Sequence, residues 1–166
     1  MLFFKPAAGI ERRLLATFQM VRICSVAGYE TASRQRVRRS GLGQQARWAE
    51  FSGERLLTLP TDNPIQKLVN DQLRSVNAMP VLGGGLQNIQ TIIGMVEAGH
   101  GVAALPGFVV SACERYNVVI EPLIDPVVPI EYFAVTKKGR QKTELATETI
   151  DSIEKYFQRL SQIVNN

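Results

Sequence analysis

One histidine, two cysteines and a run of three glycines are the residues whose types could support covalent, metal or phosphate chemistry, and their spacing argues against all three. His100 stands alone between Gly99 and Gly101, so no nucleophile, base and orienting group can be assembled around it. Cys24 and Cys113 are far apart and nothing else suggests a small stapled fold, which predicts free thiols. Cys113 lies on the apolar segment Phe108–Cys113 and reads as a buried structural cysteine. No Cys/His set offers metal ligands, and Gly83-Gly84-Gly85 lacks the Lys-Ser/Thr that would follow in a phosphate loop. Glu121 and Asp125 read as solvated acids. The expectation is no catalysis, no metal and no cofactor.

Non-covalent binding is better supported. Leu56–Leu59 reads as a buried strand running into Pro60-Thr61-Asp62-Asn63-Pro64. Asn63 suits an N-cap and Pro64 the first helical position, and Ile65, Leu68, Val69, Leu73 and Val76 trace an apolar stripe to about Asn77. Met79–Leu82 is predicted as a second strand. The glycine turn follows, and then a helix over Gln87–Ala98, with Ile89, Ile92, Ile93 and Val96 on one face. In open α/β sheets ligands sit outside the carboxyl ends of the strands, and helix starts there offer unpaired N–H groups suited to a carboxylate or other small anion. Thr61, Asn63, Gln87, Asn88 and Thr91 are therefore the candidate polar contacts; helix capping alone is the competing explanation for each.

The elements around them follow from punctuation. Gly99 closes the second helix, Gly101 turns the chain sharply, and Val102–Leu105 is a third strand stopped by Pro106. Phe108–Arg115 is predicted as a short helix and Val118–Ile120 as a strand. Pro122, Pro126 and Pro129 mark a hinge-like connection. Tyr132–Thr136 reads as a strand, Lys137-Lys138-Gly139-Arg140 as an exposed turn, and Thr143–Ile163 as a long amphipathic helix. Alternation of strands and helices predicts a mainly parallel sheet.

The run Met95-Val96-Glu97-Ala98-Gly99-His100-Gly101-Val102-Ala103-Ala104-Leu105-Pro106 resembles the V-x-A-G-x-G-V-A-x-x-P segment of the effector-binding domain of LysR-type transcriptional regulators. Trp48 to Leu59 is similar to that family's start of the second effector subdomain, and Glu121-Pro122-Leu123 through Lys138-Gly139-Arg140 to its return strand. The resemblance spans about residues 48–163. It implies an α/β, type-2 periplasmic-binding-protein-like fold, with the second subdomain complete over residues 49–125. Residues 126–166 would supply the return strand and C-terminal helix of an abbreviated first subdomain. It also implies Phe108 as an apolar wall residue of the cleft, a small and often anionic effector, and a homo-oligomer. DNA would be reached only through a winged-helix domain. A solute-binding protein of a transporter and a dimerisation module pairing with intact regulators are the alternatives.

Composition sets the remaining bounds. At 166 residues, 45% hydrophobic and 20% charged, the chain is the size of one globular domain. No apolar run approaches the roughly 20 residues of a membrane span, and the N-terminal apolar patch is interrupted by Lys5 and Pro6, so a cytoplasmic protein with no membrane partner is expected. Residues 1–48 hold nine Lys/Arg against two Asp/Glu, whereas residues 49–166 hold ten against thirteen. That basic first segment is left unassigned. Arg34, Arg36, Arg38 and Arg39 lack interleaved aromatics and read as a solvated run rather than a phosphate grip. Leu15, Phe18, Val21 and Ser25 sit at helical spacing, with a faint likeness to the first helix of a winged helix-turn-helix, but no recognition helix follows.

Overall fold

The computed structural model describes residues 9–33, 41–42, 45–139 and 143–165. Arg34, Arg36, Arg38 and Arg39 lie outside the described residues. The dominant element is a 16-residue strand, β1 (Ile10–Ser25), followed by α1 (Val26–Ser33) and the short strands β2 (Gly41–Leu42) and β3 (Ala46–Arg47). A 3-10 turn, Trp48–Phe51, leads to β4 (Arg55–Thr58), α2 (Pro64–Ser75), β5 (Val81–Gly85) and α3 (Ile89–Glu97). Next come β6 (Ala103–Pro106), a 3-10 turn at Gly107–Val109, α4 (Val110–Cys113), β7 (Val118–Ile124), β8 (Pro129–Lys137) and α5 (Glu144–Asn165).

The strand at Ile10–Ser25 corrects the helical reading of Leu15, Phe18, Val21 and Ser25. A plain strand would alternate strictly between faces, and this one does not. A bulge falls between Leu14 and Ala16. Ala16, Phe18, Val21 and Ile23 all belong to one core cluster, while Met20 and Cys24 belong to the other. The change of face between Phe18 and Met20 makes residues three apart point the same way, which mimics a helix in the sequence.

That change of face coincides with a change of partners. Residues 10–19 of β1 pair antiparallel with β8, from Ile10–Lys137 to Gln19–Pro129. Residues 20–25 run between β6, where Met20 faces Pro106, and β7, where Ser25 faces Val118, both antiparallel. β4 and β5 pair in parallel, and a parallel bridge from Leu56 to Val102 joins them to the β6 side. Leu57 N–H donates to Val102 O at 2.9 Å, and Val102 N–H donates to Arg55 O at 2.8 Å. The strands thus lie in the order β5, β4, β6, β1, β7, with β2 and β3 added in parallel to β7. The sheet is mixed rather than mainly parallel, because β1 crosses it in the opposite sense to both neighbours. It remains an α/β fold, with helices and cores on both faces.

One core holds Phe18, Val21, Ile23, Ile92, Ile93, Val96, Leu105 and Leu160, so α3 and α5 cover that face. The other holds Met20, Trp48, Phe51, Val69, Leu73, Val119 and Leu123, under α2 and the first 3-10 turn. Trp48 is fully buried and donates its indole N–H to Pro126 O at 3.0 Å, pinning the turn between β7 and β8. Among the described residues no helix is long and apolar enough to cross a membrane.

Candidate ligand-binding site

β4, β5 and β6 run in the same direction, and Thr58 is the register partner of Gly85. Their carboxyl ends therefore share one edge of the sheet. From that edge leave the loop to α2 with Thr61 and Asn63, the loop to α3 with Gln87 and Asn88, and, just past Pro106, Phe108. Met20 faces Pro106, so the part of β1 that precedes Met20 carries on past this edge and bears β8 and α5 with it. The loops that carry the candidate residues thus leave the same sheet edge that the β1–β8 ribbon extends past.

Local chemistry explains the loop shapes. Gly83 is the extra residue of a bulge between the Leu56–Leu82 and Leu57–Gly84 pairs. A Cβ there would come within 3.0 Å of Leu56 O, and Gly84 takes a φ of +117°. Thr58 Oγ1 donates to Gly84 O at 3.2 Å and Leu86 N–H donates to Thr58 O at 2.8 Å, fixing the two strand ends together. Gln66, which the sequence pattern did not single out, is buried; its Oε1 accepts from Leu59 N–H at 3.0 Å and its Nε2 donates to Asn70 Oδ1 at 2.9 Å. It ties the end of β4 to the first turn of α2. A polar side chain on the covered face of an amphipathic helix is the only trace it leaves in the sequence.

The asparagines are caps. Asn63 Oδ1 accepts from Ile65 N–H at 2.9 Å and Asn88 Oδ1 from Gln90 N–H at 2.7 Å. The two helix starts then differ. Pro64 occupies the first position of α2 and has no N–H, whereas α3 begins Ile89-Gln90-Thr91 with all three amides. After capping, α3 keeps more of its first-turn donors, so its positive end is the stronger of the two. Thr61, Gln87, Asn88 and Thr91 are exposed and Asn63 is half-buried.

Phe108 stands apart from these polar groups in its packing. It is half-buried, its ring 5.5 Å from Tyr132 and 6.2 Å from Phe18, both edge-to-face. Phe157 completes the group, 5.8 Å from Phe18 and 5.7 Å from Tyr132. Four rings from β1, the 3-10 turn after β6, β8 and α5 join the sheet edge to the ribbon. Burial pushes the Tyr132 hydroxyl up to about 12, so it stays neutral.

Other places carry less chemistry. A groove of about 230 Å³ lies at the far end of the ribbon, lined by Glu11, Arg12, Arg13, Ala134, Thr136 and Ile150, away from the helix starts. Arg13 there is engaged by Asp151 and Glu154 of α5. Among the described residues no cluster of His, Cys, Asp or Glu could hold a metal ion.

Comparison with known proteins places this arrangement. The chain resembles the regulatory domain of MetR from N. meningitidis, with 20% identity and a TM-score of 0.64, over 95% of this chain and 68% of that one. It resembles HinK of Pseudomonas aeruginosa, a LysR family transcriptional regulator, with 19% identity and a TM-score of 0.70, over 94% of this chain and 51% of that one. The effector-binding domain of QuiR, solved in complex with shikimate, matches with 13% identity and a TM-score of 0.66, over 95% of this chain and 69% of that one. No curated protein matches the chain. The LysR substrate binding domain model matches residues 4–158, reaching well before Trp48 and taking in β1. With nearly its whole length matched, the chain belongs to the LysR substrate-binding domain family.

Proposed function

We propose that this chain is the small-molecule-sensing part of a LysR-type transcriptional regulator and that its effector is a small carboxylate or similar anion. The observation that carries the reading is the shared carboxyl edge of β4, β5 and β6, from which the loops to two capped helix starts leave. The amides of the α3 start would hold the anion, with Gln87, Asn88 and Thr91 beside it. Thr61 and Asn63 would contact its neutral portion, and Phe108 would wall the apolar side. That QuiR is seen with shikimate, a carboxylate, agrees with this choice.

Sensing requires the effector to prefer one of two arrangements, since only differential affinity moves an equilibrium. Residues 49–125 as one lobe and 126–166 with the first half of β1 as part of the other would provide them. The aromatic group around Phe18 is the contact that a change of arrangement must repack. DNA would be reached only through a winged-helix domain that this chain does not identifiably contain, and the work would be done in the cytoplasm. A homo-oligomer is part of the proposal. It is supported by exposed Met79, Val81 and Leu82, at 80%, 58% and 75%, on and beside the edge strand β5.

Calorimetric titration against a panel of small carboxylates, shikimate included, tests the effector. Heat from at least one member, abolished by competing amide-directed anions, is the expected result. A folded sample giving no heat with any member overturns the reading.

A further inference from the structure

β4 is the strand at which the winding of the chain reverses. From it α2 leads to β5 on one side, and α3 then carries the chain back across to β6 on the other. α2 packs into the core of Trp48 and Phe51 and α3 into the opposite one, so the two helices leave to opposite faces of the sheet. A crevice opens between the carboxyl ends of the two strands at such a reversal.

The pairing there is cut short. On the β5 side β4 stays paired to its end, with Thr58 opposite Gly85 and Leu86 N–H donating to Thr58 O at 2.8 Å. On the β6 side the pairing among the described residues is the single bridge Leu56–Val102, with Leu57 N–H on Val102 O. Alternation turns Leu59 N–H to the same side as Leu57 N–H, and one further step of a parallel ladder would set it on Ala104 O. It goes instead to Gln66 Oε1 at 3.0 Å, where Leu59 and Gln66 are 4% and 3% exposed. A side chain of α2 thus takes the place of a strand.

Gln66 is the third residue of α2, a position from which glutamine commonly reaches back to the N–H of the cap residue. Here Asn63 N–H is already held by Pro60 O at 2.9 Å, and Gln66 reaches past it to Leu59. Its Nε2 donates to Asn70 Oδ1 at 2.9 Å, which turns the amide oxygen toward the strand. A buried backbone N–H must be satisfied, and the ladder and the glutamine offer it carbonyl oxygens of the same chemistry.

We infer that Gln66 is a positioning residue of the effector crevice: by holding Leu59 N–H it stops the β4–β6 ladder at Leu56–Val102 and keeps the two carboxyl ends apart. It touches no effector itself. The role rests on the effector reading of this edge, since a crevice with nothing to admit needs no spacer. Without the glutamine oxygen, Leu59 N–H passes to Ala104 O, the ladder gains a step and the crevice narrows.

Scalar couplings across hydrogen bonds, measured by NMR on the full chain, name the acceptor directly. In the parent chain Leu59 N should couple to the side-chain carbonyl carbon of Gln66. In Gln66→Met, which keeps the bulk and removes the acceptor, it should couple to the carbonyl carbon of Ala104. Gln66→Glu, which keeps an oxygen in place, should retain a coupling to the side chain at position 66. Calorimetry with shikimate, benzoate and acetate as probes reads the consequence. With about nine-tenths of Gln66→Met in the zipped form, apparent affinity falls about tenfold. Leu73→Ala, buried about two turns further along α2, should lower the urea midpoint at least as far as Gln66→Met and leave the affinity in place. The inference is overturned by a parent chain in which Leu59 couples to Ala104 or to neither carbon, and by a Gln66→Met chain in which it does not couple to Ala104. Undiminished affinity in Gln66→Met overturns it too, as do equal losses in Gln66→Met and Leu73→Ala. A parent chain that gives no heat with the three probes, while Leu59 still passes from Gln66 to Ala104 in the variant, supports the spacer and counts against the effector reading alone.

Discussion

Arg22 Nη1 lies 3.4 Å from Glu121 Oε2 across the β1–β7 pairing, with both side chains buried under the Trp48 turn. Glu50 Oε2 meets the same guanidinium nitrogen, also at 3.4 Å, and Cys24 Sγ donates to Glu121 Oε2 at 3.6 Å. Desolvation nonetheless wins at Glu121: burial raises its carboxyl above the ordinary 4.5, and the Arg22 charge only partly offsets this. A raised value means that the folded state holds the proton more tightly than the unfolded one. The stability from protonation is therefore complete below 4.5 and is lost as pH rises through the raised value. Urea midpoints measured upward from acid should show this decline, and Glu121→Gln should flatten it. An unchanged slope in the variant removes Glu121 as its source. Glu121→Ala strands Arg22 beside one half-exposed partner and should cost about 3 kcal/mol.

The two thiols should be silent in the folded protein. Cys24 and Cys113 are 2% and 3% exposed, and burial pushes each up to about 12, helped at Cys24 by the neighbouring Glu121 charge. At pH 8 the thiolate fraction is then roughly one in ten thousand. A chromogenic disulfide reagent should titrate no thiol in native buffer and two after unfolding in urea. Fast labelling of one thiol in the native state would contradict the packing.

Gly101 should tolerate no side chain. A Cβ there would fall 2.3 Å from Arg55 O, the carbonyl that accepts from Val102 N–H where β6 joins β4. Gly101→Ala must push the two strands apart and should cost about 2 kcal/mol or more. Gly99 is the control. Its φ is +78° but nothing lies within 4 Å of its would-be Cβ, so Gly99→Ala should cost only about 1 kcal/mol, the left-handed penalty. Equal losses of urea midpoint for the two would show that the close approach is not what selects glycine at position 101.

What the sequence discloses and what it hides divide along a physical line. The stretch from Asn63 to Pro106 is legible because its determinants are local: asparagine caps, a proline at a first helical turn, glycines where Cβ atoms would collide, and apolar residues at helical spacing. The two loops, and their meeting at one edge, followed from those. β1 was illegible because its determinants are not local. A bulge after Leu14 and the change of partners at Gln19–Met20 break the period of two that marks a strand, and only β6, β7 and β8 explain the break. β7 ran longer than its Val118–Ile120 signal for a related reason. Pro122 faces Val21 inside the pairing, where a proline normally argues against a central strand. Phe108 is offered as a cleft residue by the family resemblance alone, and its ring partners, Phe18 and Tyr132, come from segments whose contacts no spacing reveals.

Asn88 separates capping from ligand recognition, because two substitutions pull the roles apart. Asn88→Ala removes the oxygen that accepts from Gln90 N–H and should cost about 1 kcal/mol of stability. Asn88→Asp keeps an acceptor in the same place and suits the positive end of α3, so the urea midpoint should hold or rise slightly. The same carboxylate puts a negative charge where the effector's own anion would sit. At a few ångströms in a partly desolvated cleft, that repulsion should weaken carboxylate binding about tenfold or more. Asn63→Asp, at the helix whose first position is Pro64, should preserve stability equally and weaken binding much less, since α2 has fewer amides to offer. Calorimetry on the three variants with any carboxylate that binds the parent chain reads the difference. Undiminished affinity in Asn88→Asp would move the anion away from the α3 start and leave Asn88 a cap and nothing more.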